Sequence, residues 1–300
     1  MQPVDLQISC GTASIDSLHS LLVASCRELL MSSRINPVAY QTVNVLAVVT
    51  VLVVNMLSET LPLNGVTTAQ VANSYPNLFT PPGYVFSIWG VIYTLAIVFM
   101  IYQARPSQRD EAYLGKIGFL YLVGALANMS WLAVFHYSYG VPQLFLVSLI
   151  PMTVLLVSLL SIYHRLGIGK GRVPRNQKFA VHLPISVYLG WISLAIIANT
   201  ASCLNVLFPS IPISTQSLWT AAVIVIALVI TVFMVWTRRD FAFGLVVIWA
   251  SIGIALNRIA ISAVFSTSIV AIIIVPVLIV LAPFLKKKSV IDFYMMRSDH

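Results

Sequence analysis

The feature that most constrains this chain is a succession of long apolar stretches separated by short polar segments. A helix needs about 20 mostly apolar residues to cross a bilayer, and in a helix such a segment satisfies its own backbone hydrogen bonds. Eight stretches meet that requirement, at residues 40–58, 84–104, 115–137, 141–163, 179–202, 217–237, 241–259 and 262–284. The sequence therefore predicts an all-α, polytopic transmembrane helical bundle with about eight spans.

The composition excludes a soluble protein. Hydrophobic residues make up 59% of the chain and charged residues 9%, whereas soluble domains carry roughly 25% charged residues. So few charges cannot cover a water-facing surface, and they are spread along the whole chain. The net charge of +8 does not indicate binding of nucleic acid either, because the basic residues lie in the gaps between the apolar stretches.

All but one of the 17 Lys and Arg residues fall on a single side of an eight-span topology. Cytoplasmic loops of membrane proteins carry an excess of these residues. We therefore expect both termini to be cytoplasmic, with the plasma membrane as the favoured host. The residues on this side are Arg27, Arg34, Arg105, Arg109, Lys116, Arg165, Lys170, Arg172, Arg175, Lys178, Arg238, Arg239, Lys286, Lys287, Lys288 and Arg297.

Arg258 is the exception, and it stands next to Asn257 at the junction of the last two apolar stretches. The interpretation that we prefer is that its side chain snorkels to the outer interface. The alternative is that it faces a cavity and pairs with an anionic ligand. Because the junction is short, residues 241–284 form either two full spans or a broken, re-entrant hairpin.

The longest connecting segment, residues 59–83, follows the first span on the outer side. It carries turn signals at Asn64-Gly65 and at Pro81-Pro82-Gly83. Thr67–Asn73 is predicted to form a short helix capped by Thr67 or Thr68. Loops of this length are often lids or binding elements, although a plain connector is the alternative.

Aromatic and amide residues recur at helical spacing inside three of the spans. Residues three, four or eight apart on a helix lie close to one face, and amides in a bilayer need partners. Such residues either pack the bundle and bond between helices or line a binding cavity. The set is Trp89, Tyr93, Asn128, Trp131, Tyr188, Trp191 and Asn199.

Three segments that contain these residues resemble the TspO/MBR family of translocator proteins and tryptophan-rich sensory proteins. They read PPGYVFSIWGVIY at 81–93, ANMSW at 127–131 and YLGWISLAIIAN at 188–199. Their order and spacing match the family over about residues 40–203, including the long loop after the first span. The segment YGVPQLFLVSLIP departs from the family's pattern, because Pro142 and Phe145 stand where a Trp and an acidic residue are usual.

The resemblance implies a five-helix bundle with a pocket that opens toward the long loop. Family members bind tetrapyrroles, sterols and synthetic hydrophobic ligands there, so all seven residues become candidate ligand-binding residues, although the departure at Pro142 leaves the ligand's identity open. The implied organisation is a loosely ordered leader at 1–38, a TspO-like core at 39–203, a three-helix membrane extension at 204–285 and a basic cytoplasmic tail at 286–300. Within the leader, residues 15–30 are compatible with a short amphipathic helix.

The expected function is that of a membrane receptor or carrier for a hydrophobic planar ligand, with a sensory or transport role. No cofactor is required, and a tetrapyrrole (haem or porphyrin) is a candidate ligand. The alternative is an uncoupled small-solute transporter or channel, since none of the nine Asp and Glu residues falls at the centre of a predicted span, where ion coupling commonly needs one.

We do not expect an enzyme, although one acting on a bound tetrapyrrole is a third, weaker alternative. The sequence has no nucleophile–base pair, no phosphate-binding loop and no metal-ligand spacing, and Cys10, Cys26 and Cys203 form no CxxC pair. The expected partners are the lipid bilayer and the hydrophobic ligand, without nucleic acid. A homodimer is an arrangement that the sequence allows.

Overall fold

The structure is a computed structural model that describes residues 36–61 and 63–295, and within these ranges it contains helices and no strands. The prediction of an all-α polytopic bundle is confirmed. The predicted leader, including a helix at 15–30, lies almost entirely outside the described residues. The long helices are α1 (Pro37–Thr60), α2 (Ile88–Gln103), α3 (Leu120–Tyr137), α4 (Leu149–Leu166), α5 (Leu183–Leu207), α6 (Ile213–Arg238), α7 (Phe241–Asn257) and α8 (Ser262–Leu285).

Seven helical segments of the described chain are long and apolar enough to cross a membrane, and α7 is an apolar helix of only 17 residues. At about 1.5 Å per residue, α7 is roughly 25 Å long. Its two ends nevertheless contact opposite ends of the bundle. Asp240, just before α7, accepts a hydrogen bond from Tyr163 near the end of α4, whereas Arg258, just after α7, bonds to Leu78 in the long loop. The helix therefore runs from one end of the bundle to the other and is not re-entrant.

Three of the predicted spans contain local breaks with identifiable causes. The predicted span at 115–137 is interrupted at Gly118, whose positive φ of 53° separates the short helix Ala112–Ile117 from α3. The fourth span starts as the short helix Pro142–Val147 and continues as α4. A π-helical turn, Lys178–His182, precedes α5, where Pro184 lacks the N–H that a regular helix would use.

The first five long helices form a closed ring. Going around it, α1 contacts α3, α3 contacts α4, α4 contacts α5, α5 contacts α2, and α2 contacts α1 again. The remaining three long helices pack on one another outside this ring, and α7 is the one that contacts α5 extensively. Gly190 permits that contact, because a Cβ atom there would lie 3.2 Å from Val246.

The start of the predicted basic tail forms a further helix, Val290–Met295, that packs against the three-helix group. Phe293 is fully buried, and the Tyr294 hydroxyl donates to the Ile279 carbonyl oxygen over 2.6 Å. The Arg239 guanidinium lies 5.1 Å from the centre of the Phe293 ring. This part of the tail is therefore docked on the bundle.

Gly169 lies where the loop after α4 meets the end of α6. Its φ is +78°, and a Cβ atom there would lie 1.7 Å from the Arg238 carbonyl oxygen. We expect Gly169→Ala to lower the stability by at least about 1–2 kcal/mol, because both the left-handed backbone and the close approach exclude a side chain. Thermal unfolding in detergent measures the effect. Gly171→Ala is the control, because nothing lies within 4 Å of its Cβ position, and equal losses from both variants would contradict the expectation.

Candidate functional site

A cavity with an empty volume of about 780 Å³ lies inside the five-helix ring, beneath the long loop. We call it the upper cavity. Its roof comes from the loop, its walls come from α2 to α5, and part of one side comes from α7. The lining residues are Thr68, Ala72, Phe79, Thr80, Pro81, Phe86, Trp89, Trp131, Phe135, Phe145, Met152, Leu155, Trp191, Ile192, Leu194, Ala195, Ala198, Asn199, Ser202, Ala250 and Ile254.

The walls of the upper cavity are mainly apolar and aromatic, and none of the lining residues is charged. Two buried donors without a partner in the described part of the chain nevertheless lie among them. The indole Nε1 atoms of Trp131 and Trp191 have no hydrogen-bond partner among the described residues, although the side chains are only 8% and 3% exposed. A buried donor without a partner is unfavourable by about 1–3 kcal/mol, so both N–H groups suit an acceptor supplied by a bound molecule.

Trp89 is the centre of an aromatic cluster at the lower side of this cavity. Its ring stacks on Tyr93 with centroids 5.6 Å apart and meets Tyr188 and Trp191 edge-on at 6.1 and 6.2 Å. Phe86 meets Trp191 edge-on at 5.7 Å. Edge-on and offset arrangements are the favourable ones for aromatic pairs, so the cluster forms a continuous aromatic surface across α2 and α5.

A second, lower cavity, with an empty volume of about 640 Å³, lies on the other side of this cluster inside the ring. Tyr93 and Tyr188 line it, together with residues of α1, α3 and α4. Trp89 and Leu155 line both cavities. The two cavities therefore lie one below the other inside the ring, and the side chains of Trp89 and Leu155 separate them.

A chain of hydrogen bonds connects four helices beside the lower cavity. The Tyr93 hydroxyl donates to Asn55 Oδ1 over 3.0 Å, and Asn55 Nδ2 donates to Asn128 Oδ1 over 2.9 Å. Asn128 Nδ2 in turn donates to the Tyr188 hydroxyl over 3.1 Å. These contacts join α1, α2, α3 and α5, so Asn128 bonds between helices and lies outside the walls of both cavities.

Asn199 has local partners as well, although it lines the upper cavity. Its Nδ2 donates to Ser148 Oγ over 2.9 Å, and Ser148 Oγ also lies 2.6 Å from the Phe145 carbonyl oxygen. Ser148 occupies the junction between Pro142–Val147 and α4. The Asn199 side chain on α5 thus holds in place the helix break at the start of the fourth span.

The roof of the upper cavity is an ordered loop with its own short helix. Thr68–Ser74 is helical, and Thr67 and Gln70 form a reciprocal capping box, which confirms the predicted helix. Tyr75 stacks on Phe145 with centroids 4.0 Å apart and donates from its hydroxyl to the Ser138 carbonyl oxygen. Burial raises the pKa of the Tyr75 phenol, so the hydroxyl stays protonated and available as a donor at neutral pH.

Asn77 organises the part of the roof nearest to α5. Its Oδ1 accepts from the backbone N–H groups of Phe79 and Thr80 over 2.8 and 2.7 Å. Its Nδ2 donates to Ser202 Oγ over 2.6 Å. One buried amide therefore both folds the turn and joins it to α5.

The end of α7 holds the same part of the loop from the other side. Arg258 donates from Nε to the Leu78 carbonyl oxygen over 3.1 Å and from Nη2 to the Asn77 carbonyl oxygen over 2.7 Å. Trp249, near the middle of α7, donates from Nε1 to the carbonyl oxygen of Val85, just after the loop, over 3.0 Å. Burial lowers the pKa of Arg258 from its ordinary value, but a guanidinium remains charged at physiological pH. Arg258 therefore anchors the loop, which differs from the snorkelling position that we preferred from the sequence.

The far end of the roof is fixed at a small polar cluster. The Thr68 hydroxyl donates to the Glu59 carboxylate, and His136 Nε2 lies 3.5 Å from the same hydroxyl. His136 is fully buried, and its Nδ1 lies 2.9 Å from the Leu132 carbonyl oxygen. Because a carbonyl oxygen only accepts, Nδ1 carries the proton in this contact. The cluster ties the loop helix to α1 and α3.

The comparison with protein families adds a finding to this geometry. Residues 41–281 match the family described as TSPO-like protein. The chain belongs to this family. The resemblance drawn from the three motif segments is thereby confirmed. The match extends through α6 and α7 into α8, and the division into a core and a three-helix extension stays a prediction. No curated protein and no solved structure matches the chain.

The structure brings six of the seven predicted site residues of this TSPO-like protein to cavity walls. Trp89, Trp131, Trp191 and Asn199 line the upper cavity, and Trp89, Tyr93 and Tyr188 line the lower one, whereas Asn128 lies behind them in the hydrogen-bond chain. Ligand binding by any of these residues stays a prediction.

Sequence reasoning missed Asn55 and Phe86, which contact the predicted residues, and it missed the role of Arg258 in the roof. Asn55 had a usable signal, because it is an amide inside an apolar stretch, as Asn128 is. Nothing in the sequence indicated the partners of Arg258, because they are backbone carbonyl groups about 180 residues away along the chain.

We expect Arg258→Gln to loosen the roof, because the shorter amide cannot keep both hydrogen bonds to the Asn77 and Leu78 carbonyl groups. Hydrogen exchange followed by mass spectrometry should show faster exchange in the peptide around residues 77–83, by about threefold to tenfold if one to two bonds of typical strength are lost. Asn257→Ala is the matched control, because its bond to the Thr80 carbonyl is longer, at 3.4 Å. Unchanged exchange in Arg258→Gln would contradict the anchoring role.

Proposed function

We propose that this TSPO-like protein is a multi-pass membrane receptor or carrier that binds a hydrophobic planar ligand of the tetrapyrrole or sterol type in the upper cavity. The observation that carries the proposal is an apolar cavity lined by all three predicted tryptophans, two of which hold unpartnered N–H donors. Its position beneath the long loop is the position that the family resemblance implies for the pocket.

The aromatic walls favour a flat ligand. Trp89, Trp131 and Trp191 lie on three different helices and face one space. Each aromatic contact contributes about 0.5–1.5 kcal/mol beyond the burial of apolar area. A rigid ring system exploits several such contacts at once and loses little conformational entropy on binding.

The polar groups restrict where the ligand carries its heteroatoms. The N–H groups of Trp131 and Trp191 call for hydrogen-bond acceptors, such as a carbonyl, hydroxyl or ring nitrogen. Because no charged side chain lines the cavity, an ionised group buried at its centre would lack a counter-charge and would be strongly unfavourable. The Thr68 hydroxyl in the roof already donates to the Glu59 carboxylate, and the Ser202 hydroxyl donates to the Tyr75 carbonyl oxygen. We therefore expect any carboxylate of the ligand to lie outside the cavity, in contact with water.

The long loop is the proposed route of access. It closes the cavity through Thr68, Phe79 and neighbouring residues, and it is attached through hydrogen bonds rather than by a continuous helix. Lids of binding sites are drawn from segments whose local opening is easier than global unfolding. Release of the Asn77 and Arg258 contacts would expose the cavity without any change in the helical ring.

Porphyrin titration tests the proposal. We expect protoporphyrin to bind the purified protein saturably, with a shifted porphyrin absorbance and quenched tryptophan fluorescence. Trp131→Phe and Trp191→Phe should each weaken binding about threefold to tenfold, because each removes one hydrogen bond of about 0.5–1.5 kcal/mol and keeps an aromatic ring. The porphyrin absorbance is the deciding readout, since it does not depend on the number of tryptophans.

Trp219→Phe is the matched control, because Trp219 is exposed on α6 and does not line the upper cavity. A sterol added as competitor distinguishes the two ligand types: displacement of the porphyrin indicates a shared cavity that accepts both. If no tested ligand binds, or if Trp219→Phe weakens binding as much as the cavity variants do, the upper cavity is not the binding site.

Uncoupled transport is the second candidate, and the serial arrangement of the two cavities favours it. A solute that passes Trp89 and Leu155 would move from the upper to the lower cavity within the ring. Solute flux into proteoliposomes, without saturable porphyrin binding, would support this function over that of a receptor.

A further inference from the structure

A third cavity lies at the opposite end of the bundle, between the start of α5 and the turn from α6 to α7. We call it the basic cavity, and its empty volume is about 450 Å³. It lies where the five-helix ring meets the three-helix group. The polar side chains in its lining are those of Lys178, His182, Ser186, Arg238, Arg239 and Asp240.

Three half-buried cations face this cavity, and none of them is neutralised by an ion pair of its own among the described residues. Arg238 donates from Nη1 to the Ile168 carbonyl oxygen over 3.3 Å, and its guanidinium lies 5.6 Å from the Tyr163 ring centre. Arg239 lies over the Phe293 ring. The Asp240 carboxylate is the opposite charge that acts on Lys178. The cavity therefore carries more positive than negative charge.

Asp240 is the acid of the basic cavity, and its oxygens are already engaged. Oδ1 accepts from the Phe243 backbone N–H over 3.1 Å, which caps α7, and Oδ2 accepts from the Tyr163 hydroxyl over 2.9 Å. This carboxylate holds the start of α7 in place, and its single charge cannot balance three cations.

The side chain of His182 is a second observation, separate from the cluster of cations, that points to a bound ligand. Its side chain is only 3% exposed and lines the basic cavity, and both ring nitrogens lack a hydrogen-bond partner among the described residues. A neutral imidazole carries one donor and one acceptor, and burying them without partners is unfavourable. The π-helical turn Lys178–His182 places this ring next to the lysine in the same wall.

We propose that the basic cavity binds a phosphate-type oxyanion, with Lys178, Arg238 and Arg239 as counter-charges and His182 as a hydrogen-bond donor. Guanidinium and ammonium groups are the usual ligands of phosphate. The remaining walls include the apolar side chains of Phe179 and Phe241, which suit the glycerol and upper acyl region of a lipid. Basic cavities between transmembrane helices are a known way to hold anionic headgroups.

The bound phosphate would connect two parts of the protein. Lys178 and His182 belong to the segment that leads into α5 of the ring, whereas Arg238 and Arg239 belong to the end of α6. An anion between them replaces repulsion among the cations by attraction to a shared centre. The inference is independent of the ligand in the upper cavity, and its test leaves that cavity unchanged.

The test uses the full-length protein purified in detergent and measures lipid retention by native mass spectrometry together with the thermal unfolding temperature. Micelles are doped with phosphatidylglycerol or with phosphatidylcholine, and a separate series adds inorganic phosphate against chloride at equal ionic strength. The variants are Lys178→Gln and Arg239→Gln. Lys170→Gln is the control, because it removes the same charge from an exposed position near the same end of the bundle.

We expect phosphatidylglycerol to be retained and to raise the unfolding temperature more than phosphatidylcholine does. Lys178→Gln and Arg239→Gln should each weaken retention about fivefold, as expected for one basic residue at about 1 kcal/mol, whereas Lys170→Gln should leave it within twofold of the wild type, about 0.4 kcal/mol. Stabilisation by inorganic phosphate, lost in the same variants, would support the oxyanion site and identify its source as a soluble phosphate.

Two results would overturn the proposal: no preference for either phosphate probe over its control, or equal loss in Lys170→Gln and the cavity variants. The two cavity variants alter different helices, so the test remains decisive if one of them fails to fold. Failure here would leave the porphyrin titration of the upper cavity unaffected.

Discussion

The structure depends on how the backbone N–H and carbonyl groups of the irregular loop above the helical ring find hydrogen-bond partners. Buried carbonyl and N–H groups need partners, and the roof over the upper cavity is a loop that cannot supply them by helix formation. Side chains supply them instead: Asn77 from within the loop and Arg258 from the end of α7, while Trp249 bonds to Val85 just after the loop. These bonds keep the loop closed over the cavity and give Arg258 a structural role at this end of the bundle.

The short helix α7 does more than cross the bundle, because both of its ends hold other parts of the chain in place. At one end Asp240 caps it and joins it to α4, and at the other Arg258 joins it to the loop. Between these points Gly190 of α5 and Gly253 of α7 allow close packing, since a Cβ atom at Gly253 would lie 2.3 Å from Val85. Helix α7, against which α6 and α8 pack, thus supports the roof of the upper cavity and lines part of one side, whereas the other walls come from α2 to α5.

Much of the fold was predictable because its determinants are local. The length of the apolar stretches predicted the long helices, and Thr67 or Thr68 as the capping residue predicted the loop helix. The family resemblance, rather than helical spacing, implied a common pocket for Trp89, Trp131 and Trp191, and all three line the upper cavity. The three motif segments also indicated the family before any geometry was known.

The remaining features depend on contacts between residues far apart in sequence. Asn128 has the same helical spacing as a cavity residue. Its amide is nevertheless already hydrogen-bonded, because Oδ1 accepts from Asn55 and Nδ2 donates to Tyr188. Helical periodicity gives the face of a residue, but which neighbour lies opposite follows from how the helices are arranged. For the same reason, the grouping of Lys178 and His182 with Arg238 was not visible in a sequence that shows only a basic side of the membrane.

We propose that the unpartnered indole N–H groups of Trp131 and Trp191 donate hydrogen bonds to a bound ligand. Two-dimensional NMR of the protein, labelled with ¹⁵N at the tryptophan indoles and embedded in lipid nanodiscs, observes those N–H groups directly. On titration with porphyrin, our account predicts that the signals of Trp131 and Trp191 shift, whereas that of Trp249, already bonded to the Val85 carbonyl, stays in place. Unchanged signals at both residues under saturating porphyrin would contradict it.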